Sequence, residues 1–295
     1  MAALGRLCWN LEFENSNLKE TAEGGHPTDM VQPLMNQDQT MRAAELLWNT
    51  WIEERRIDAI PEAFRPATRA DGYQIQRQLA DVSGQATVGW KIAATSTAGQ
   101  KHLQVDGPLA GRLLANRVHP DGTPIRLGNN GMRVAEAEFA FRLGHDLPPR
   151  PQPYELAEVL AVIDTLHPAI EIPDSRYNDF CIVGSPQLIA DNACAHYFVL
   201  GNPTTADWRS IDLPSHAVRL LLNGTLAREG VGANVLGDPR LAMTWIANEL
   251  RTHNIGLRAG EVITTGTSVV PIPIELGSDL LADFGAFGTV TTKLV

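Results

Sequence analysis

The stretch Val134-Ala135-Glu136-Ala137-Glu138-Phe139-Ala140-Phe141 decides how the rest of the chain is read. Successive side chains of a strand point to opposite faces, so Glu136 and Glu138 project from the same face. A third acid, Glu171, sits in Pro168-Ala169-Ile170-Glu171-Ile172-Pro173, a second short apolar run with the look of a strand. Alternating acids on a strand often mark a solvated face. Here the flanking positions are small or apolar, and the run contains no Lys or Arg to act as a partner. An unpaired buried carboxylate is very costly, and a hard divalent cation held by all three acids is an economical counter-charge.

The whole chain bounds the possibilities. Its 295 residues are enough for one elaborate domain or two modest ones, and 44% apolar with 20% charged residues is a globular composition. A net charge of −10 argues against nucleic acid or an anionic membrane as the main partner and favours a small molecule. The cysteines Cys8, Cys181 and Cys194 show no metal-ligand spacing, and the last two read as buried free thiols in a reducing compartment. No apolar run reaches membrane-spanning length, and the start of the chain lacks a basic region followed by an apolar core, so a cytoplasmic protein is expected.

Residues 1 to 38 are polar and aperiodic, which predicts a disordered tail. Apolar spacing predicts helices over 41–57 and 72–82, the second with Asp71 as N-cap. A strand over 87–92 ends in Lys91 among apolar residues, where the ordinary reading is a snorkelling surface lysine. The Gly- and Pro-containing passage 106–111 reads as a loop. A helix over 154–163 crosses between the two acid-bearing strands, and His167 reads as a satisfied core or rim histidine. Asn223-Gly224 marks a hairpin, Asp238-Pro239 opens a helix to about residue 254, and strands are predicted over 261–265, 279–284 and 288–294. There is no phosphate loop and no nucleophile elbow. The expected division is a helical and strand region over 39–130 packed on a core over 131–295.

Gly89-Trp90-Lys91-Ile92, the Glu136/Glu138 pair, Glu171 to Tyr177, Ala190-Asp191-Asn192 and Asp283 to Gly288, taken in order, resemble the 2-keto-4-pentenoate hydratase family. That family belongs to the fumarylacetoacetate hydrolase superfamily and includes the 4-oxalocrotonate decarboxylases. The resemblance covers roughly residues 41 to 295 and rests on several motifs rather than one. It implies an α+β fold, a mixed β-roll or partly open barrel with an N-terminal helical region. It also implies Mg²⁺ or Mn²⁺ held by Glu136, Glu138 and Glu171, with Lys91 in the active site. A 2-hydroxy-2,4-dienoate, or its 2-keto tautomer, would be hydrated to a 4-hydroxy-2-keto acid; the alternative is decarboxylation of a 2-oxo-3-enedioate, for which Arg112 or Arg176 would be the extra cation. Arg112, Thr267 and Ser268 are candidates for substrate binding, with the turn at Thr265-Gly266-Thr267-Ser268 offering backbone N–H groups. The family's pattern often has an acid after the proline in the loop that follows the lysine strand; this chain has Pro108-Leu109-Ala110, with Asp106 nearby. A weakly active partner subunit of a hydratase-decarboxylase complex is the rival from another class. A homo-oligomer, in association with a pathway partner enzyme, is expected from the family and from sheet edges that need covering.

Overall fold

The computed structural model describes residues 34–295. The tail expected over 1–38 lies outside the described residues up to position 33. The first helix, α1 (Gln37–Ile52), begins within that predicted tail because Asn36 and Gln39 close a capping box, and it buries Ala44, Leu47 and Trp51 on one stripe. In α2 (Arg69–Ser83) the N-cap is Thr68, and Asp71 stands at the third helical position of the capping box rather than at the cap. The Asp71 carboxylate also accepts from the Met35 and Thr68 backbone N–H groups, each at 3.0 Å, which fastens the entry to α1 onto α2.

The chain continues through β1 (Thr87–Ala93), α3 (Thr97–Leu103), β2 (Leu109–Leu114), β3 (Val118–Pro120), β4 (Val134–Leu143), α4 (Leu156–Val162), β5 (Ile163–Ile172), α5 (Ser185–Ala190) and β6 (Tyr197–Leu200). It ends with the hairpin β7 (Ala217–Leu222) and β8 (Thr225–Val231), then α6 (Pro239–Thr252), β9 (Val262–Thr267), β10 (Ile272–Pro273), β11 (Asp279–Asp283) and β12 (Thr289–Lys293). The second half of the loop predicted over 106–111 is therefore strand: Pro108 stands just before β2, where its missing N–H costs no ladder bond.

A large mixed sheet runs β2-β1-β9-β4-β5-β6-β3, with β10 added beside β4. The β1/β9 and β3/β6 pairs are parallel and the others antiparallel. Leu113 of β2, Ala140 of β4, Ala169 of β5, Phe198 of β6 and Val262 of β9 form one buried cluster, although their strands span most of the sheet. The two edge strands, β2 ending at Leu114 and β3 beginning at Val118, are joined by residues 115–117 alone, which brings the edges together and curls the sheet into a partly open barrel around this cluster. The other face of β4 carries Phe139, whose ring meets Phe284 at 5.0 Å and Phe287 at 6.2 Å between centroids. Phe284 and Phe287 flank the β11–β12 turn of a second, antiparallel sheet ordered β12-β11-β7-β8, so this aromatic group ties the two sheets together. Burying each such ring contributes about 1.5–3 kcal/mol. Outside the barrel, α2 and α5 pack on each other and on β2, and α6 packs against β9 and α4.

Candidate active site

The inner face of the barrel changes character along its length. The small apolar cluster fills one part, and the carboxylates occupy the next, because β4 and β5 pair with Glu136 directly opposite Glu171 and Glu138 opposite Ala169. One oxygen from each of Glu136, Glu138 and Glu171 lies within 4.8 Å of the others. Glu138 and Glu171 are fully buried, while Glu136 opens partly onto a cavity. Lys91 points to the same interior, 3% exposed, with Nζ 3.1 Å from Glu171 Oε1 and donating to the Ala193 carbonyl at 3.0 Å. It is not a snorkelling surface residue.

Two local features hold this arrangement. Gly111 lies opposite Lys91 in the β1–β2 ladder, and a Cβ there would sit 2.0 Å from the Asn192 carbonyl oxygen; its absence lets the 192–194 segment lie over the lysine. That segment holds Asn192, Ala193 and Cys194 in the left-handed region, an unfavourable run for non-glycine residues, and it brings the Ala193 carbonyl to Lys91. The turn expected at 265–268 is largely strand, and Gly266 within β9 acts differently from expectation: its N–H donates to Glu138 Oε2 at 3.0 Å, orienting a triad carboxylate rather than being left for a ligand.

The electrostatics of the triad are unfavourable without a further cation. Burial first, then mutual repulsion, pushes Glu136 and Glu138 up to about 7 and Glu171 up to about 8, with Lys91 pulling each back. Burial would lower Lys91, but the three carboxylates outweigh it and hold the ammonium above its ordinary value. Glu138 Oε1 and Glu171 Oε2 are buried with no hydrogen-bond partner. Three carboxylates less one ammonium leave two negative charges, all on hard oxygen donors. This donor set fits a divalent cation of the magnesium or calcium type.

Beside the triad lies a cavity of about 120 Å³. Its lining combines Lys91, Thr95, Ser96, His102, Glu136 and Thr267 with apolar residues that include Ala98 and Leu103 of α3, Met132, Phe180, Val270 and Pro271. Among the described residues no arginine lines it. Burial holds His102, on the α3 wall, below the ordinary imidazole range. Arg112 faces away: it pairs with Trp90 in the β1–β2 register, and its guanidinium stacks on the Trp90 ring at 4.4 Å. Arg176 is buried against Asp191 and Trp51 and does not line this cavity. Ser268 is fully buried outside the lining, and the Thr267 hydroxyl donates to the Val269 carbonyl at 2.7 Å. Leu109 is buried in β2, and Asp106 is exposed beside Arg69, so neither supplies an acid to the cavity. His167 is satisfied on both nitrogens, by Thr165 and by the Gly201 carbonyl. The α3 wall was not legible in the sequence, because a helix of 7 residues that buries none of them carries no periodic signal.

A curled mixed sheet with three converging carboxylates on its inner face defines the fumarylacetoacetate hydrolase-like fold. The structure of 4-oxalocrotonate decarboxylase from Pseudomonas putida G7, complexed with magnesium and adipate, superposes with a TM-score of 0.81 and 27% identity, covering 90% of this chain and 100% of that one. No family model matches the chain. The 2-hydroxyhexa-2,4-dienoate hydratase of Comamonas testosteroni is 36% identical over 236 residues, 78% of this chain and 88% of its own length. A 2-keto-4-pentenoate hydratase of Burkholderia vietnamiensis is 34% identical over 217 residues, 74% of this chain and 81% of its own length. The chain belongs to the 2-keto-4-pentenoate hydratase and 4-oxalocrotonate decarboxylase family.

Proposed function

We propose that the chain is a metal-dependent hydro-lyase that converts a short 2-hydroxy-2,4-dienoate, through its 2-keto-3-enoate tautomer, into a 4-hydroxy-2-keto acid. The observation that carries this reading is the carboxylate triad with its orphaned oxygens beside a largely apolar cavity that Glu136 and Lys91 also line. Glu136, Glu138 and Glu171 would hold a divalent cation, Mg²⁺ by analogy with the solved relative, or Mn²⁺, which shares the preference for carboxylate and water. Such an ion, when bound, supplies positive charge to the substrate's carboxylate and C2 oxygen and so draws electrons from the conjugated system.

The protein's own groups do the rest. Lys91, held protonated by the carboxylates around it, lines the same cavity and presents charge or a proton to the oxygen at C2 as the enolate forms. Glu136, the partly exposed member of the triad and part of the cavity lining, would orient water beside C4. Overall the dienol gains one water: hydroxide equivalent at C4, protons at C3 and C5, and a ketone at C2. The apolar walls suit an alkyl tail at the distal carbon.

The decarboxylase reading draws support from the likeness to a solved decarboxylase. A 2-oxo-3-enedioate, however, carries a second carboxylate that needs a cation, and the described lining offers no arginine for it. Hydration of a monocarboxylate is therefore favoured. A cytoplasmic homo-oligomer is proposed on the same footing, the open edges of both sheets needing cover; among the described residues no helix is long and apolar enough to cross a membrane. The test is ultraviolet absorbance of freshly generated 2-hydroxypenta-2,4-dienoate with chelator-treated enzyme, before and after Mg²⁺, with products identified by mass. Metal-dependent loss of the dienol with a gain of one water is expected. Inertness there, with carbon dioxide released from a 2-oxo-3-enedioate, would make the chain a decarboxylase; inertness toward both would make it a partner subunit.

A further inference from the structure

A second cavity, of about 200 Å³, lies behind the strand end that carries Glu171 and shares no lining residue with the first. Its character is the reverse of the first: Arg55, Arg56, Arg117, Arg126 and Arg176 all line it, together with His196. Four of these arginines have a carboxylate in contact: Arg55 with Glu53, Arg56 with Asp174 at 2.9 Å, Arg126 with Glu54, and Arg176 with Asp191. Arg117 has none within 4.0 Å among the described residues. Its Nε is buried without a hydrogen-bond partner, and its guanidinium is held over the rings of Trp51 at 5.2 Å and Tyr197 at 4.8 Å.

We infer that this cavity is a binding site for a small oxyanion, a carboxylate or a phosphate, with Arg117 as its principal ligand. A guanidinium pre-oriented by aromatic faces presents a planar fork of donors, which suits the paired oxygens of those groups. His196 adds a donor. Its Nδ1 accepts from the Trp51 indole N–H at 2.9 Å, so the neutral ring carries its proton on Nε2. Burial, followed by the positive charge of Arg117, Arg176 and Arg56, keeps that ring neutral. The volume is below the roughly 300–1,000 Å³ typical of sites for drug-sized ligands, so the occupant is small.

The site is separated from the carboxylate triad by one layer of chain. Met132 and Pro173 line the first cavity, and Asn130 and Asp174 line the second. This layer is stitched together by Asn130 Nδ2 donating to the Pro173 carbonyl at 2.9 Å and by the Gly131 N–H donating to Asp174 at 2.8 Å.

The test reads Arg117 directly on the native chain: its modification by phenylglyoxal, followed by peptide mass, with and without inorganic phosphate or pyruvate. Millimolar anion is expected to slow modification of Arg117 by roughly tenfold, as a charge-assisted hydrogen bond would, while leaving the exposed Arg228 unchanged. Whichever of phosphate and pyruvate protects at the lower concentration identifies the source of the oxyanion. Calorimetric affinity for that anion should fall by about the same factor in Arg117→Gln. Modification of Arg117 that neither anion alters, or an affinity unchanged in Arg117→Gln, would overturn the assignment; if the variant fails to fold, the protection measurement decides alone.

Discussion

Glu138 is fully buried, repelled by Glu136, and satisfied on one oxygen only by the Gly266 N–H. Glu138→Gln keeps its shape and removes its charge. Metal-dependent turnover is expected to fall by about 10³-fold or more, equivalent to several kcal/mol of transition-state stabilisation. The melting temperature of the chelated protein should hold or rise, since a buried like charge is gone. Unchanged activity with Mg²⁺ would remove the triad from its role. Gly266 is constrained twice over, by φ of +94° and by Thr95 Oγ1, which would lie 2.2 Å from an added Cβ. Gly266→Ala should therefore cost about 1–3 kcal/mol in denaturant unfolding, with activity reduced through the displaced Glu138.

Among the elements, β4 was legible from its paired acids two apart and β5 from its short apolar run around Glu171; that Glu136 lies opposite Glu171 is a matter of register, which the structure supplies. The helix between them was legible too, although α4 ends at Val162 and β5 begins at the next residue. β2 was hidden by Pro108 and Gly111, residues that signal turns locally but serve here as a strand entry and as clearance for residues 192–194. Leu103 of α3 lines the cavity. Leu103→Arg should add a cation to an apolar surface and shift the ratio of kcat/KM toward a dioate over an alkyl-substituted dienoate by roughly tenfold or more. Paired kinetics on the two substrates check this, and an unmoved ratio would place the distal end of the substrate elsewhere.

At the scale of the whole molecule, the barrel interior joins an apolar cluster to a carboxylate triad that Lys91 compensates only in part, and its stability should depend on pH accordingly. The triad carboxyls are raised to about 7 to 8 from the ordinary 4.5. A raised carboxyl contributes stability that is present below the unfolded value and is lost as pH rises through the folded one. The chelated protein should thus melt at progressively lower temperature from about pH 5 to about pH 9, and Mg²⁺ should restore most at the alkaline end. Ion at a hundred times its dissociation constant would give about 2.7 kcal/mol. A cation effect independent of pH would contradict that account. The amino-acid sequence by itself determined the family, the acid-bearing strands and the three candidate ligands, since alternation and spacing are properties of the chain read locally. The tertiary structure alone decided that Arg112 and Ser268 stand away from the cavity, that the Gly266 N–H serves Glu138, and that α3 forms one wall of the cavity. Those outcomes depend on how a curled sheet brings strands distant in sequence onto one inner face, and no local pattern encodes that closure.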